Sequence, residues 1–384
     1  MRIERRRAGL VLLLVTLLSA ALAGGASAIE SRLAGSAQLD YLFVPSHMAA
    51  RDITFDGFTT ELSMKLAVDV NEHLSASVKV CSSCHGLETG VAAVDWAVGD
   101  WLTIRAGRFT PRFGDFPARH DPANHRTSDK PLPYDMGRML QMRAWNMSVL
   151  PAPYVDNGVE VTGRHRLGEG SELDWSVYVI GGLRASDGAA DLDFLQSRSP
   201  ERYYVDNNSL PAVGGRMTWS RLGAENSLRL GLSFMAGHAD PSRRLEYQIF
   251  GADAVLELGS TTLRAEYLLR RQRMGFGPDP TLQFVYGPNA TGGWSPHFLK
   301  DGFYVELERP FGSVDAVLRL DGMTRYGNVP VGSAIDARAW IVRSTAAVAV
   351  RMFDRLRWKA SVEWYRFSDF DDQVATHLGL VTAF

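Results

Sequence analysis

The sequence predicts an all-β chain, an antiparallel transmembrane β-barrel of about sixteen strands. Three observations carry that prediction. Apolar residues recur at every second position through most of the chain after residue 30. The opposite face of these segments bears full charges, among them Lys79, Arg105, Arg216, Arg229, Arg264, Arg319, Arg351, Asp69, Asp253, Glu266 and Glu306. Such charges are tolerated in a water-filled lumen and are very costly in the dry core of a soluble sandwich. Short turns also alternate with long connections around an even number of segments, as in barrels that cross a membrane. The single long apolar run lies at the N-terminus, which excludes a polytopic helical protein. An aromatic content of 10% and a formal charge of -2 exclude a disordered chain and give no basis for nucleic-acid binding.

Residues 1–28 read as a secretory signal peptide. Arg2, Arg5, Arg6 and Arg7 form the charged start, Leu10 to Leu22 the apolar centre, and Ala26-Ser27-Ala28 a cleavage site. Residues 29–384 then make up the barrel, in an exported and oxidising setting. In Glu61–Val70, Leu62, Met64, Leu66 and Val68 alternate with Ser63, Lys65 and Asp69. In Leu356–Arg366, Leu356, Trp358, Ala360, Val362 and Trp364 oppose Arg357, Lys359, Ser361, Glu363 and Tyr365. The first eight segments fall near 36–44, 58–70, 74–81, 88–98, 102–109, 158–165, 172–181 and 212–220. The others fall near 227–237, 246–258, 261–271, 302–309, 313–323, 337–352, 356–366 and 375–384. Tryptophans near strand ends, such as Trp101 and Trp358, suit an interfacial girdle.

The chain ends Leu378-Gly379-Leu380-Val381-Thr382-Ala383-Phe384. This resembles the C-terminal signal of bacterial outer-membrane barrels, whose last strand closes against the first. Gly107-Arg108-Phe109-Thr110-Pro111-Arg112-Phe113-Gly114 resembles a stretch of porins similar to the phosphate-selective O and P type. That resemblance implies the outer membrane of a Gram-negative bacterium, a homotrimer, and a long loop folded into the pore, here 110–157. Arg105, Arg108, Arg112, Arg119 and Lys130 cluster in and beside that loop and are the candidates for a basic constriction, balanced in part by Asp115, Asp121, Asp129 and Asp135.

Cys81-Ser82-Ser83-Cys84-His85 holds both cysteines of the chain and carries the spacing of c-type haem attachment. Two thiols add to the haem vinyl groups, and the adjacent histidine, His85, reaches the iron as proximal ligand. With 9 histidines in 384 residues, chance seldom sets one directly after such a pair. A Cys81–Cys84 disulfide, inert thiols and another metal are the alternatives. The loop tip supplies His120 or His125 as distal ligand, and Met136, Met139, Met142 and Met147 lie further along it. The arrangement is similar to porin–cytochrome fusions of iron-oxidising bacteria, in which the haem segment precedes the barrel. One haem cannot bridge a hydrocarbon layer of about 30 Å. Electron transfer would therefore need a periplasmic or extracellular cytochrome as partner.

The reading from sequence is a porin-like channel for small solutes, set in outer-membrane lipid and carrying one haem c at its outer mouth for electron transfer or redox sensing. A plain nutrient or anion porin with a Cys81–Cys84 disulfide is the alternative, as is a barrel sheathing a separate multihaem cytochrome. No Ser/His/acid cluster points to an enzyme.

Overall fold

A computed structural model describes residues 30–45, 57–83, 86–135, 148–184, 206, 208–273, 297–327 and 336–384. Among these residues sixteen antiparallel strands form one closed barrel. The first half comprises β1 (Glu30–Phe43), β2 (Gly57–Asp69), β3 (Leu74–Ser83), β4 (Gly86–Gly99), β5 (Leu102–Phe109), β6 (Asp156–Gly168), β7 (Ser171–Ile180) and β8 (Ala212–Leu222). The second half comprises β9 (Asn226–His238), β10 (Glu246–Leu258), β11 (Thr261–Arg273), β12 (His297–Phe311), β13 (Val314–Tyr326), β14 (Arg338–Phe353), β15 (Leu356–Phe367) and β16 (Gln373–Ala383). Each pairs with its chain neighbours, and β16 closes on β1 with Leu39 opposite Leu380. Phe384 completes the seam by exchanging both backbone hydrogen bonds with Gly35, at 2.8 and 3.1 Å. Closure leaves no ladder edge facing lipid, where an unpaired peptide group would cost several kcal/mol.

The alternation read from the sequence sorts the two faces as expected. On β15, Trp358, Val362 and Trp364 point outward while Lys359, Glu363 and Tyr365 are fully buried inside. On β2, Leu62, Met64 and Leu66 face out and Ser63 faces in. The outer surface is thus an apolar band, and the packed interior lies within the lumen.

Several boundaries differ from the sequence reading, among them β12, which starts at His297 and not near 302, and β6, which runs from Asp156 to Gly168. Strand β1 starts at Glu30, six residues early, because its pairing with β2 runs down to Asp69. Strands β3 and β4 extend past Cys81 and before Glu88, since Cys81 pairs with Glu88 and Ser83 with Gly86. The first three residues of the cysteine motif are therefore part of a hairpin ladder. Cys84 and His85, the connecting residues, lie outside the described residues, as does the signal segment 1–28.

Gly107 on β5 has φ +127°, and a Cβ there would stand 2.3 Å from the carbonyl oxygen of Ala92 on β4. Only glycine fits that backbone. Gly107→Val should destabilise the barrel by about 1–3 kcal/mol. The measurement is the urea midpoint of the heat-modifiable folded form, and an unchanged midpoint would refute this account of the residue.

Candidate functional site

The connection after β5 turns into the barrel instead of leaving it. Pro111 lacks the N–H that a continuing strand needs, and Gly114, at φ +66°, takes a left-handed turn. Three short 3-10 turns follow, Phe116–Arg119, Pro122–Asn124 and Leu132–Tyr134, each with proline in its first two positions. Phe116 stacks on Tyr134 at 5.4 Å and meets Tyr304 of β12 edge-on at 6.4 Å. With Leu132, Val149 and Leu150 they form an apolar knot inside the lumen.

Wall side chains hold the loop by its backbone. Glu266 of β11 accepts the N–H of Asp115 at 3.0 Å, the N–H of Phe116 at 3.4 Å and the hydroxyl of Tyr134. Asp321 of β13 accepts the Leu132 N–H at 3.0 Å. Lys359 of β15 donates to the carbonyls of Pro122 at 2.6 Å and Thr127 at 3.1 Å. Arg343 of β14 donates to the Lys130 carbonyl at 2.5 Å and is forked onto Asp321. These anchors lie on β11–β15. The loop is also tied to Lys79 of β3, 2.6 Å from Asp121, and to Ser233 of β9, which accepts the Gly114 N–H at 3.0 Å, and its opening faces β1–β9.

That opening is a cavity of about 770 Å³ between the loop and the β1–β9 wall. Its charged lining is Lys65, Lys79, Arg105, Arg112, Arg164, Arg216 and Arg229 against Asp115, Asp121 and Asp174. Most of these cations are paired. Arg216 is forked onto Asp253 at 2.5 and 2.8 Å, Arg105 lies 2.6 Å from Asp95, and Arg229 lies 2.9 Å from Asp115. Arg112 is half exposed, with Glu160 no closer than 3.9 Å to its guanidinium, and Lys65 has no carboxylate partner among the described residues. A second hollow of about 700 Å³ at the short-turn end is lined by Glu30, Asp69, Glu72, Asp95 and Glu160 together with Arg105 and Arg112.

Of the five constriction candidates, Arg105 and Arg112 line the open lumen. Arg119 does not. It is largely enclosed between Asp115, Glu306 at 3.1 Å and the Tyr304 hydroxyl at 3.2 Å, and it pins the loop. Lys130 donates to the Ala152 carbonyl at 2.9 Å, and Arg108 is buried with its Nε on the Thr89 carbonyl. Lys65, Arg164, Arg216 and Arg229 join the lining through strand alternation, which the sequence displays but which does not say where the loop leaves space.

Cys81 lines the same cavity as Lys79, two positions before it on β3. His120 reaches this cavity too, but both of its ring nitrogens are engaged. Nε2 lies 3.1 Å from Lys79 Nζ, and Nδ1 donates to the Pro117 carbonyl at 2.6 Å. Burial, and then the Lys79 ammonium, hold its pKa below the usual imidazole range. His125 is buried beside Phe116 at 5.8 Å, and burial with Lys359 and Lys130 nearby pushes its pKa well down. Burial and Glu266 push the Tyr134 hydroxyl up, so it stays a neutral donor. Met136, Met139, Met142 and Met147 lie outside the described residues.

A Cβ on Gly114 would fall 2.0 Å from Glu266 Oε1 and 2.1 Å from the Tyr134 hydroxyl, breaking the main loop anchor. Gly114→Val should cost about 1–3 kcal/mol of loop docking and raise single-channel conductance and current noise. Wild-type conductance in that variant would contradict the anchoring role.

No family model matches the chain, and no curated protein matches it. Solved structures do. The chain is similar to an anion-selective porin from Comamonas acidovorans, with 12% identity, a TM-score of 0.54, and 93% of this chain and 100% of that one covered. It is similar to the outer membrane channel DcaP of Acinetobacter baumannii, with 11% identity, a TM-score of 0.53, and coverage of 94% and 99%. OmpT, an outer membrane protein of Vibrio cholerae, matches with 8% identity, a TM-score of 0.53, and coverage of 94% and 99%. At these identities the likeness is one of fold: the chain has the sixteen-stranded barrel architecture of outer-membrane porins.

Proposed function

We propose that the protein is a passive diffusion channel of the outer membrane for small polar solutes, with a modest preference for anions. The observation that carries this reading is the 770 Å³ cavity left by the inward loop, with seven cations against three carboxylates on its lining. Low-dielectric walls focus the field of such a lining along the solute path. Pairing neutralises much of it, so Lys65 and Arg112 carry most of the excess. The acidic hollow at the short-turn end works against them, which is why the preference is modest. In planar bilayers under a KCl gradient, the reversal potential should show chloride passing a few-fold better than potassium. Lys65→Glu with Arg112→Glu should reverse its sign. A wild-type channel that prefers potassium would sink the reading. A homotrimer is the proposed assembly, and Vibrio cholerae OmpT is described in a trimer form.

Cys81 on the lumen wall keeps a second reading open, one covalent haem c on Cys81, Cys84 and His85. Such a group would supply one-electron redox chemistry at the long-loop end of the barrel. Neither distal candidate offers it a free ring facing the cavity, since His120 is engaged at both nitrogens and His125 is buried. Haem staining of the denatured protein, with Cys84→Ser as control, decides attachment. An unstained wild type ends that reading and any need for a cytochrome partner. The sheath alternative is disfavoured, because a lumen crossed by its own loop has room for solutes and not for a folded multihaem cytochrome.

A further inference from the structure

We propose that Asp129, Glu363 and His377 form a binding site for a divalent cation of zinc-like chemistry, fastening the inward loop to the last two strands. Asp129 comes from the loop, Glu363 from β15 and His377 from β16. His377 Nε2 lies 3.3 Å from Asp129 Oδ2 and 3.7 Å from Glu363 Oε2. All three ligand atoms lie within 4.8 Å of one another. Donors of a tetrahedral zinc, at about 2.0–2.2 Å from the metal, stand about 3.3–3.6 Å apart. Two edges of the triangle already have about that length, and the third needs a closure of roughly 1 Å at most.

Two further observations point to a ligand. His377 Nδ1 lies 2.8 Å from Asp40 Oδ2 on β1, so a carboxylate orients the ring and turns Nε2 toward the other two acids. Metal-bound histidines are commonly held in this way. Glu363 is fully buried; its Oε2, the oxygen nearer His377, accepts from the Tyr365 hydroxyl, and its Oε1 has no hydrogen-bond partner among the described residues. A neutral wall would not leave a carboxylate oxygen there. The nearest cation, Arg343, lies 3.3 Å from Glu363 Oε2 and 3.7 Å from Asp129 Oδ2. Its Nη1 donates to that Glu363 oxygen and to the Tyr365 hydroxyl at 3.0 Å, while Nε and Nη2 fork onto Asp321 and Nη2 also donates to the Lys130 carbonyl. Arg343 thus stands among four carboxylates, Asp129, Asp135, Asp321 and Glu363, with Arg319 sharing Asp321 at 3.1 Å, and Asp40 adds a fifth acid beside His377. The competing occupant is a proton on His377 Nε2, bridging the two acids without metal.

The site stands apart from the anion preference, because it is read by metal content and not by current. The full-length protein, folded in detergent and stripped with a chelator, is titrated with Zn2+ alone, and bound metal is measured by competition with a chromophoric chelator. One zinc per chain is expected, weakened at least tenfold in His377→Gln and in Asp129→Asn. His73→Gln, at an exposed periplasmic turn, should leave it unchanged. Asp129 lies on the loop, outside the strands, so its variant tests the site in an intact barrel. Heat-modifiable mobility shows which variants are folded. Cobalt substitution should give the visible bands of a low-coordinate ion. Zinc binding equal in wild type and in folded Asp129→Asn overturns the proposal in favour of the bridging proton.

Discussion

Irregular backbone can lie at membrane depth only where something other than lipid satisfies its peptide groups. That constraint shapes the interior of this barrel. The loop between β5 and β6 has prolines at 111, 117, 122, 131, 133, 151 and 153. Its described residues contain no strand, and outside its short turns only residues 133–134 and 149–152 are joined by backbone hydrogen bonds. Its N–H and C=O groups are taken up by charged side chains of the wall, with Glu266 and Asp321 as acceptors and Lys359 and Arg343 as donors. These charges are buried beneath the loop, and each is matched to a backbone group or an opposite charge. Removing one member of such a network commonly costs about 3–5 kcal/mol, because its partner is left charged and dry.

The docking is weighted to one wall, with lighter ties to β3, β6 and β9, and the solute path follows from that. Anchors from β11 to β15 draw the loop to one wall, and the opening remains along β1–β9. The same residue types therefore do two kinds of work. On one side Arg319, Arg343 and Lys359 are interior struts, with little exposure to any solute. On the other Lys65 and Arg112 stay in contact with the lumen. The seam between β16 and β1 meets the loop at His377, where barrel closure and loop docking share a single imidazole.

The strands were legible because period-two alternation is a property of neighbouring residues. Lys359, Glu363 and Tyr365 face inward for the same reason that Trp358, Val362 and Trp364 face outward. The constriction was legible only in part. A cluster of basic residues near Gly107–Gly114 marks where the loop begins, and Arg105 and Arg112 do line the opening. Arg119 has the same charge and a similar position in sequence, yet Glu306, 187 residues further on, draws it into the wall. The cysteine motif shows the same division. Its spacing is plain in the chain, while its place in a hairpin ladder follows from pairing with β4.

Local patterning alone thus determined a barrel of about sixteen strands with a charged interior and an apolar exterior. Strand type, facing and turn positions depend on contacts a few residues apart, and these are written directly in the order of side chains. Which interior charges meet solute, which hold the loop, and that Asp40, Asp129, Glu363 and His377 converge were decided by the closed fold. Those partners lie far apart along the chain, and their pairing depends on strand register and on the wall against which the loop comes to rest.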